Sequence, residues 1–207
     1  MPKPLPEHIQ SVTGGDLGAV RAYLLDATHR VIAEQGLSSA STRNVAAEAG
    51  ISAGTLYNYF DDRLDLVASA ILRRAHVLSQ PIGELPARAG TATVRRNLLW
   101  FARHADTVLE ELVPLIAAAF GEPDLLAVLR ERMADDDPAA IATDVVTTYL
   151  RDEQRLGRID ADAHCRTAAA TIVSLVHDRA FQHYLRGTTE SAAPTREIGF
   201  LASALGA

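Results

Sequence analysis

The chain has 207 residues, 48% of them hydrophobic and 22% charged, with a formal net charge of −6. This length holds one large helical domain or a small module fused to a larger body, and the apolar share is enough for a sizeable core. No run of about eighteen apolar residues occurs, the N-terminus lacks a basic-then-apolar leader, and the single Cys165 cannot close an internal disulfide, so a membrane-spanning or secreted disulfide-rich protein is excluded and a cytoplasmic one expected.

Residues 1–16 are rich in Pro and Gly and read as a mobile tail. A helix is expected over Leu17–Gln35, where Val20, Leu24, Ala27 and Val31 recur at helical spacing, with Gly36 as its stop. Ser41 is suited to cap a second helix whose buried side is Val45, Ala46 and Ala49, and Gly50 ends it. Ile51 plugs the turn, and Ser52 caps a third helix running to about Phe60. Asp61 and Asp62 stand at the entry to a fourth, through Leu64, Val67, Ile71 and Leu72. Pro81, Pro86 and Gly90 then break the chain. Further helices are expected near 91–105, 107–120, 123–134, 138–156, 162–186 and 195–205, with Pro114 kinking or dividing its own. No period-two alternation or internal repeat appears, so the expected fold class is all-α. The expected division is a tail at 1–16, a helix-turn-helix domain at 17–75 and a larger helical domain at 76–207.

The segment STRNVAAEAGISAGTLYNYF at 41–60 carries the functional signal. Two short helices joined at Gly50 fit a helix-turn-helix, whose second helix enters the major groove. Ala46, Ala47 and Ala49 are small enough for close helix approach. The third helix presents Ala53, Thr55, Asn58 and Tyr59, slim at its start, so that backbone and polar tips can reach base edges. Tyr57, Tyr59 and Phe60 cannot all face the core of so short a helix, and an outward Tyr can hold a phosphate. The plainer alternative is a helical hairpin that binds nothing. Charge also bears on this point. Residues 1–75 carry seven basic and eight acidic side chains, the remainder thirteen and eighteen. The basic stripe usual in nucleic-acid binders is weak, so DNA contact must rest on local geometry and dimerisation.

Residues 21–67, from LLDA and VIAEQG through AGIS-x-GTLYNYF to Arg63 and Leu66, resemble the N-terminal domain of tetracycline-repressor (TetR) type regulators without gaps, over about a quarter of the chain. The resemblance implies a transcriptional regulator that binds double-stranded DNA sequence-specifically. It further implies a repressor released from a palindromic operator by a small-molecule effector. It places Ser41, Thr42 and Arg43 against the DNA backbone and Ser52, Ala53, Gly54, Thr55, Asn58 and Tyr59 on the recognition helix. Tyr57 packs or meets phosphate, and Arg63 holds a phosphate. Ala53 departs from the Lys often found there, and Asp61 and Asp62 would repel DNA.

The C-terminal body carries no motif. LRDEQRLGRID followed by ADAHCRTAAATIVSLVHDRAF resembles the family's last two long helices, which imply a homodimer interface through Ala168, Ile172, Leu175 and Val176; an intrachain hairpin is the alternative. Asp160 or Asp162 is suited to cap the second of these helices. Trp100, Phe101, His104, Phe120, Tyr149, His177 and Phe181 combine aromatic area with a few polar tips, as a ligand pocket does, or else they are core. His177 and His183 splay apart and Cys165 has only His164 beside it, so no metal site is expected. No G-x-G-x-x-G, P-loop, G-x-S-x-G or H-E-x-x-H occurs, so neither cofactor nor enzyme activity is expected. The remaining rival is a helical scaffold that keeps the fold without binding DNA.

Overall fold

The computed structural model describes residues 6–134, 137–188 and 193–206, and among them there is no strand. The fold is all-α. The chain forms two compact units, 1–74 together with 115–132, and 75–114 together with 133–207.

The first unit is built on α1 (Glu7–Thr13), α2 (Leu17–Gln35), α3 (Thr42–Glu48), α4 (Ala53–Leu56) and the opening turns of α5 (Arg63–Ser79). The α2 stripe is inward as its spacing predicts, with Val20, Leu24, Ala27 and Val31 at 1% exposure or less. Leu56, Phe60, Leu66 and Val67 join them in one core. Each fully buried Leu or Phe is worth about 1.5–3 kcal/mol, so this cluster is what holds the short helices in place. Gly36 closes α2 at φ +85°, and its N–H reaches the Ile32 carbonyl at 2.9 Å. Its ψ of 162° is far from the left-handed helical cap, so it turns the chain by a route open to glycine alone.

Three boundaries differ from expectation. Residues 1–5 lie outside the described part of the expected tail, but 7–13 form α1, and Ile9 is wholly buried in the first unit's core. Residues 115–132, expected in the C-terminal domain, belong to the first unit: Ala119, Leu125 and Leu129 complete its core. They come from the end of α6 (Val94–Ala119) and from α7 (Pro123–Met133). The expected pair of helices at 91–105 and 107–120 is one helix, α6, with Pro114 inside it. Pro114 removes one backbone donor and crowds the preceding turn without stopping the helix.

Asp65 ties α5 to α7. Burial pushes its carboxyl up, but the Arg132 hydrogen bond, the Asp61 N–H and the charges of Arg132 and Arg21 outweigh that and hold it below its ordinary 3.8. Ser69 accepts from Arg132 at 2.6 Å beside it.

The second unit contains the rest of α5 and α6, then α8 (Pro138–Arg155), α9 (Cys165–Arg186) and α10 (Thr195–Ala204). Asp137 caps α8, accepting from the Ala139 N–H at 2.9 Å, and Pro138 occupies the first turn where no donor is needed. Neither Asp160 nor Asp162 caps α9; its first residue follows His164, which makes no side-chain cap bond. Glu153 is fully buried at the end of α8. It accepts from the Tyr149 hydroxyl at 2.7 Å and the Gly90 N–H at 3.3 Å, and Arg158 stands 3.4 Å away. A buried charge so partnered pins the 86–90 turn to α8.

The depressed Asp65 pKa makes a testable statement about acid stability. A carboxyl lowered in the folded state stabilises above its unfolded value, here about 3.8, and that contribution is lost as the pH falls from there through the lower folded value. Urea unfolding across this window should show a steeper loss for the native chain than for Asp65→Asn. Parallel curves would contradict the assignment.

Candidate nucleic-acid interface and ligand cavity

Helix α3 begins at Ser41, whose Oγ accepts from the Asn44 N–H at 3.1 Å. It ends in a Schellman turn. Gly50, at φ +69°, donates to the Ala47 carbonyl at 3.1 Å, and Ile51 donates to that of Ala46 at 2.9 Å. Gly50 tolerates this conformation and Ile51 packs back onto the core. Ser52 then caps α4, accepting from the Thr55 N–H at 3.2 Å. The helix is four residues long, and the expected run to Phe60 continues only as turns. An isolated helix of that length does not persist in water, so tertiary contacts must hold it.

They do. Leu56 is 1% and Phe60 3% exposed. Arg21 lies with its guanidinium 4.3 Å from the Phe60 ring centroid and donates to the Tyr59 carbonyl. Its other nitrogen reaches Ser69 at 3.3 Å, and Asp65 is 3.7 Å away. Arg21 was not singled out in the sequence, because its partners lie 38 and 48 residues further on, out of reach of local spacing.

Outward from this scaffold the α3–α4 surface carries Arg43, Ser52, Gly54, Tyr57 and Asn58, all exposed, with Ser41, Thr42, Ala53 and Tyr59 half-buried. The Tyr57 hydroxyl stands 3.5 Å from Thr42 Oγ1, joining the two helices across their outer face. Arg43 has no ion pair among the described residues, whereas Arg30 is held by Glu48 at 2.6 Å.

Two expected DNA contacts are corrected. Thr55 is 7% exposed and its Oγ1 sits 2.8 Å from Ser52 Oγ, so it faces the core side and caps its own helix start. Arg63 is not available to a phosphate. Its guanidinium donates to Ala40 O at 3.0 Å and Leu37 O at 3.2 Å, and makes a two-toothed pair with Glu122 at 2.6 and 3.2 Å. That fork clamps the chain before α3 to the chain before α7. Glu122 lay outside the motif, which is why spacing alone did not reveal its partner.

The second unit places the expected ligand residues differently from one another. Phe101 and His177 line a cavity of about 50 Å³ with Ile82, Val108, Leu112 and Val176. Burial pushes the His177 imidazole below its ordinary value against the opposing charge of Asp137, so it is neutral at pH 7. The other five residues do not line this cavity. Tyr149 is fully buried with its hydroxyl spent on Glu153. Trp100 stacks with His104, ring centroids 4.1 Å apart, under Arg88 at 4.4 Å. Phe181 is exposed, and Phe120 is an exposed residue of the first unit. The expected interface set is split as well. Ile172 and Val176 are at 0% and 1% exposure, turned into their own chain's core, while Ala168 and Leu175 are half-buried. The outer side of α9 is instead Thr171, Ser174, Asp178, Phe181 and Leu185. Among the described residues no group of three His, Cys, Asp or Glu is placed to hold a metal ion, and no helix is long and apolar enough to cross a membrane.

Loss of the Arg63 clamp should appear as instability. Arg63→Ala is expected to lower unfolding stability by about 2–3 kcal/mol, since it strands Glu122 and two carbonyls. A double-mutant cycle with Glu122→Gln should show a coupling of about 1 kcal/mol or more. A DNA-affinity loss with no change in the unfolding midpoint would restore the phosphate role.

Residues 24–70 match the family described as bacterial regulatory proteins, tetR family. UidR, a helix-turn-helix transcriptional regulator of Escherichia coli K12, is 25% identical over 166 residues, covering 76% of this chain and 78% of UidR. PksA, a regulator of the same type from Bacillus subtilis, is 47% identical over 51 residues, 25% of either chain. In solved structures, a Mesorhizobium loti protein assigned to the TetR-family transcriptional regulators superposes with a TM-score of 0.73 at 18% identity, covering 89% of this chain and 94% of that one. The match to the tetR model falls on the segment that builds α3, α4 and the start of α5, and the likeness in fold extends over both units: residues 24–70 form a segment of the tetR family of bacterial regulatory proteins.

Proposed function

We propose that this chain is a homodimeric repressor that reads a near-palindromic operator through α3 and α4 and is released from it by a small-molecule effector. The observation that carries this reading is the outer face of those helices. Gly54 and Ser52 leave the start of α4 without bulk, so its backbone can approach base edges, while Asn58 and Tyr57 stand exposed at its far end. Asn58 offers a donor and an acceptor to a base. Arg43 and the hydroxyls of Thr42, Ser41 and Tyr57 serve phosphates, fixing register without reading sequence. Thr55 and Arg63 act behind them, holding the reading edge in shape.

Two-fold pairing supplies what the weak basic charge does not, because two reading heads add their contacts on one operator. The face for that pairing is the outer side of α9, where Phe181 and Leu185 stand 41% and 62% exposed beside the small Ser174 and Thr171. The effector enters the second unit, opening the small cavity lined by Phe101 and His177. Helix α6 contributes residues to both units and therefore forms a covalent path between effector and reading head. Release requires that the effector bind the DNA-competent and incompetent arrangements unequally. The protein acts in the cytoplasm, where its operator is.

In a duplex-binding titration, affinity should fall steeply as salt rises. Arg43→Ala should weaken all sequences alike and lower the salt slope by about one, whereas Asn58→Ala should cost about 1–3 kcal/mol and relax preference at one base pair. An Asn58→Ala protein with unaltered affinity and preference would remove α4 from the reading role.

A further inference from the structure

The walls of the cavity behind Phe101 are apolar except at two points. Ile82, Phe101, Val108, Leu112 and Val176 bound it, each 6% exposed or less. Its polar side chains are Ser79 and His177, both half-buried, and no charged side chain is among the described lining residues. Ser79 stands before the 80–84 turn without a side-chain cap bond, and His177 has no hydrogen-bond partner among the described residues. Asp137, whose charge reaches His177, accepts instead from the Ala139 N–H at 2.9 Å and does not line the cavity. Polar groups that face an apolar space are seldom left unmatched in folded chains. At about 50 Å³ the space has room for a few water molecules at most. Leu109 lines both this cavity and a pocket of about 510 Å³ in the same unit, so it is the side chain that divides the two.

Building on the effector reading above, we propose that this cavity selects an uncharged molecule with one hydroxyl or carbonyl head on an apolar body. The head exchanges hydrogen bonds with His177 and Ser79. The body lies against Phe101, Val108 and Leu112 and displaces Leu109, which joins the cavity to the wider pocket. Charge decides the class. A carboxylate would leave water for walls that hold no cation, because burial keeps the His177 ring neutral, and an ammonium would find no carboxylate there. Either ion loses its hydration without a compensating partner. A bare hydrocarbon gains the apolar burial but leaves Ser79 and His177 unmatched. One neutral polar head on an apolar body satisfies both demands.

1-Octanol, octanoate and octylamine share one chain length and differ in head-group charge at neutral pH, so equilibrium dialysis against the full chain isolates the head. Octanol should bind about tenfold more tightly than either ion. His177→Leu should weaken octanol about fivefold, while His177→Gln, which keeps a donor and an acceptor, should retain it. Ala142→Leu fills the cavity from α8 and should abolish octanol binding with the thermal midpoint unchanged or raised. If His177→Leu does not fold, the other two variants decide. Either ion bound as tightly as octanol, no binding of octanol, or unaltered octanol affinity in folded His177→Leu or Ala142→Leu would overturn the proposal. A parallel DNA-release assay judges the regulator reading separately. Octanol bound with the DNA complex intact supports the cavity's selectivity and contradicts release through it. DNA release by octanoate or octylamine, with octanol unbound, upholds the regulator and removes the uncharged-ligand site.

Discussion

A helix of four residues cannot support itself in water, because nucleation costs more than one turn of hydrogen bonds returns. Everything at the α3–α4 edge follows from how that deficit is met. Leu56 and Phe60 anchor α4 in the first unit's core, and Arg21 grips the Tyr59 carbonyl from behind while lying over the Phe60 ring. The Schellman turn at Gly50 sets the angle at which α4 leaves α3. With the inner side so occupied, Arg43, Ser52, Gly54, Tyr57 and Asn58 are left to face outward.

The same economy explains the arginines. An acidic chain has few positive groups to spare, yet the first unit spends several on itself. Arg63 holds Glu122 and two carbonyls, Arg132 holds Asp65 and Ser69, and Arg73 holds Asp26 at 3.2 Å. These pairs fasten α2, α7 and the chain before α3 onto α5. A bidentate Arg–carboxylate pair is geometrically specific, so the clamp fixes position as well as contributing stability. In this arrangement Arg63 links the segment bearing Glu122 to the carbonyls that precede α3.

Much of this was legible in the sequence, and the exceptions have physical causes. The α2 stripe, the caps at Ser41 and Ser52 and the turn at Gly50 are local features, read from side-chain spacing and backbone chemistry, and the structure has them where the residues indicated. Side-chain direction on α4 was not legible. Thr55 faces inward because its hydroxyl completes the Ser52 cap, a choice that spacing on so short a helix leaves open. Arg63 could not be placed without Glu122, which lies 59 residues on. On α9 the apolar residues Ile172 and Val176 proved to be core, while Phe181 and Leu185 are exposed. Apolar character alone does not separate a buried face from one that awaits a partner. Aromatic content misled in the same way for Tyr149, whose hydroxyl serves a buried carboxylate.

Selection of bound duplexes from a random DNA pool, using the full chain, tests the central claim most directly. The account predicts enrichment of an inverted repeat whose half-sites are about one helical turn apart or a multiple of it, the spacing that two paired reading helices impose. A pool that emerges without any enriched sequence, or with a single unrepeated site, would contradict it.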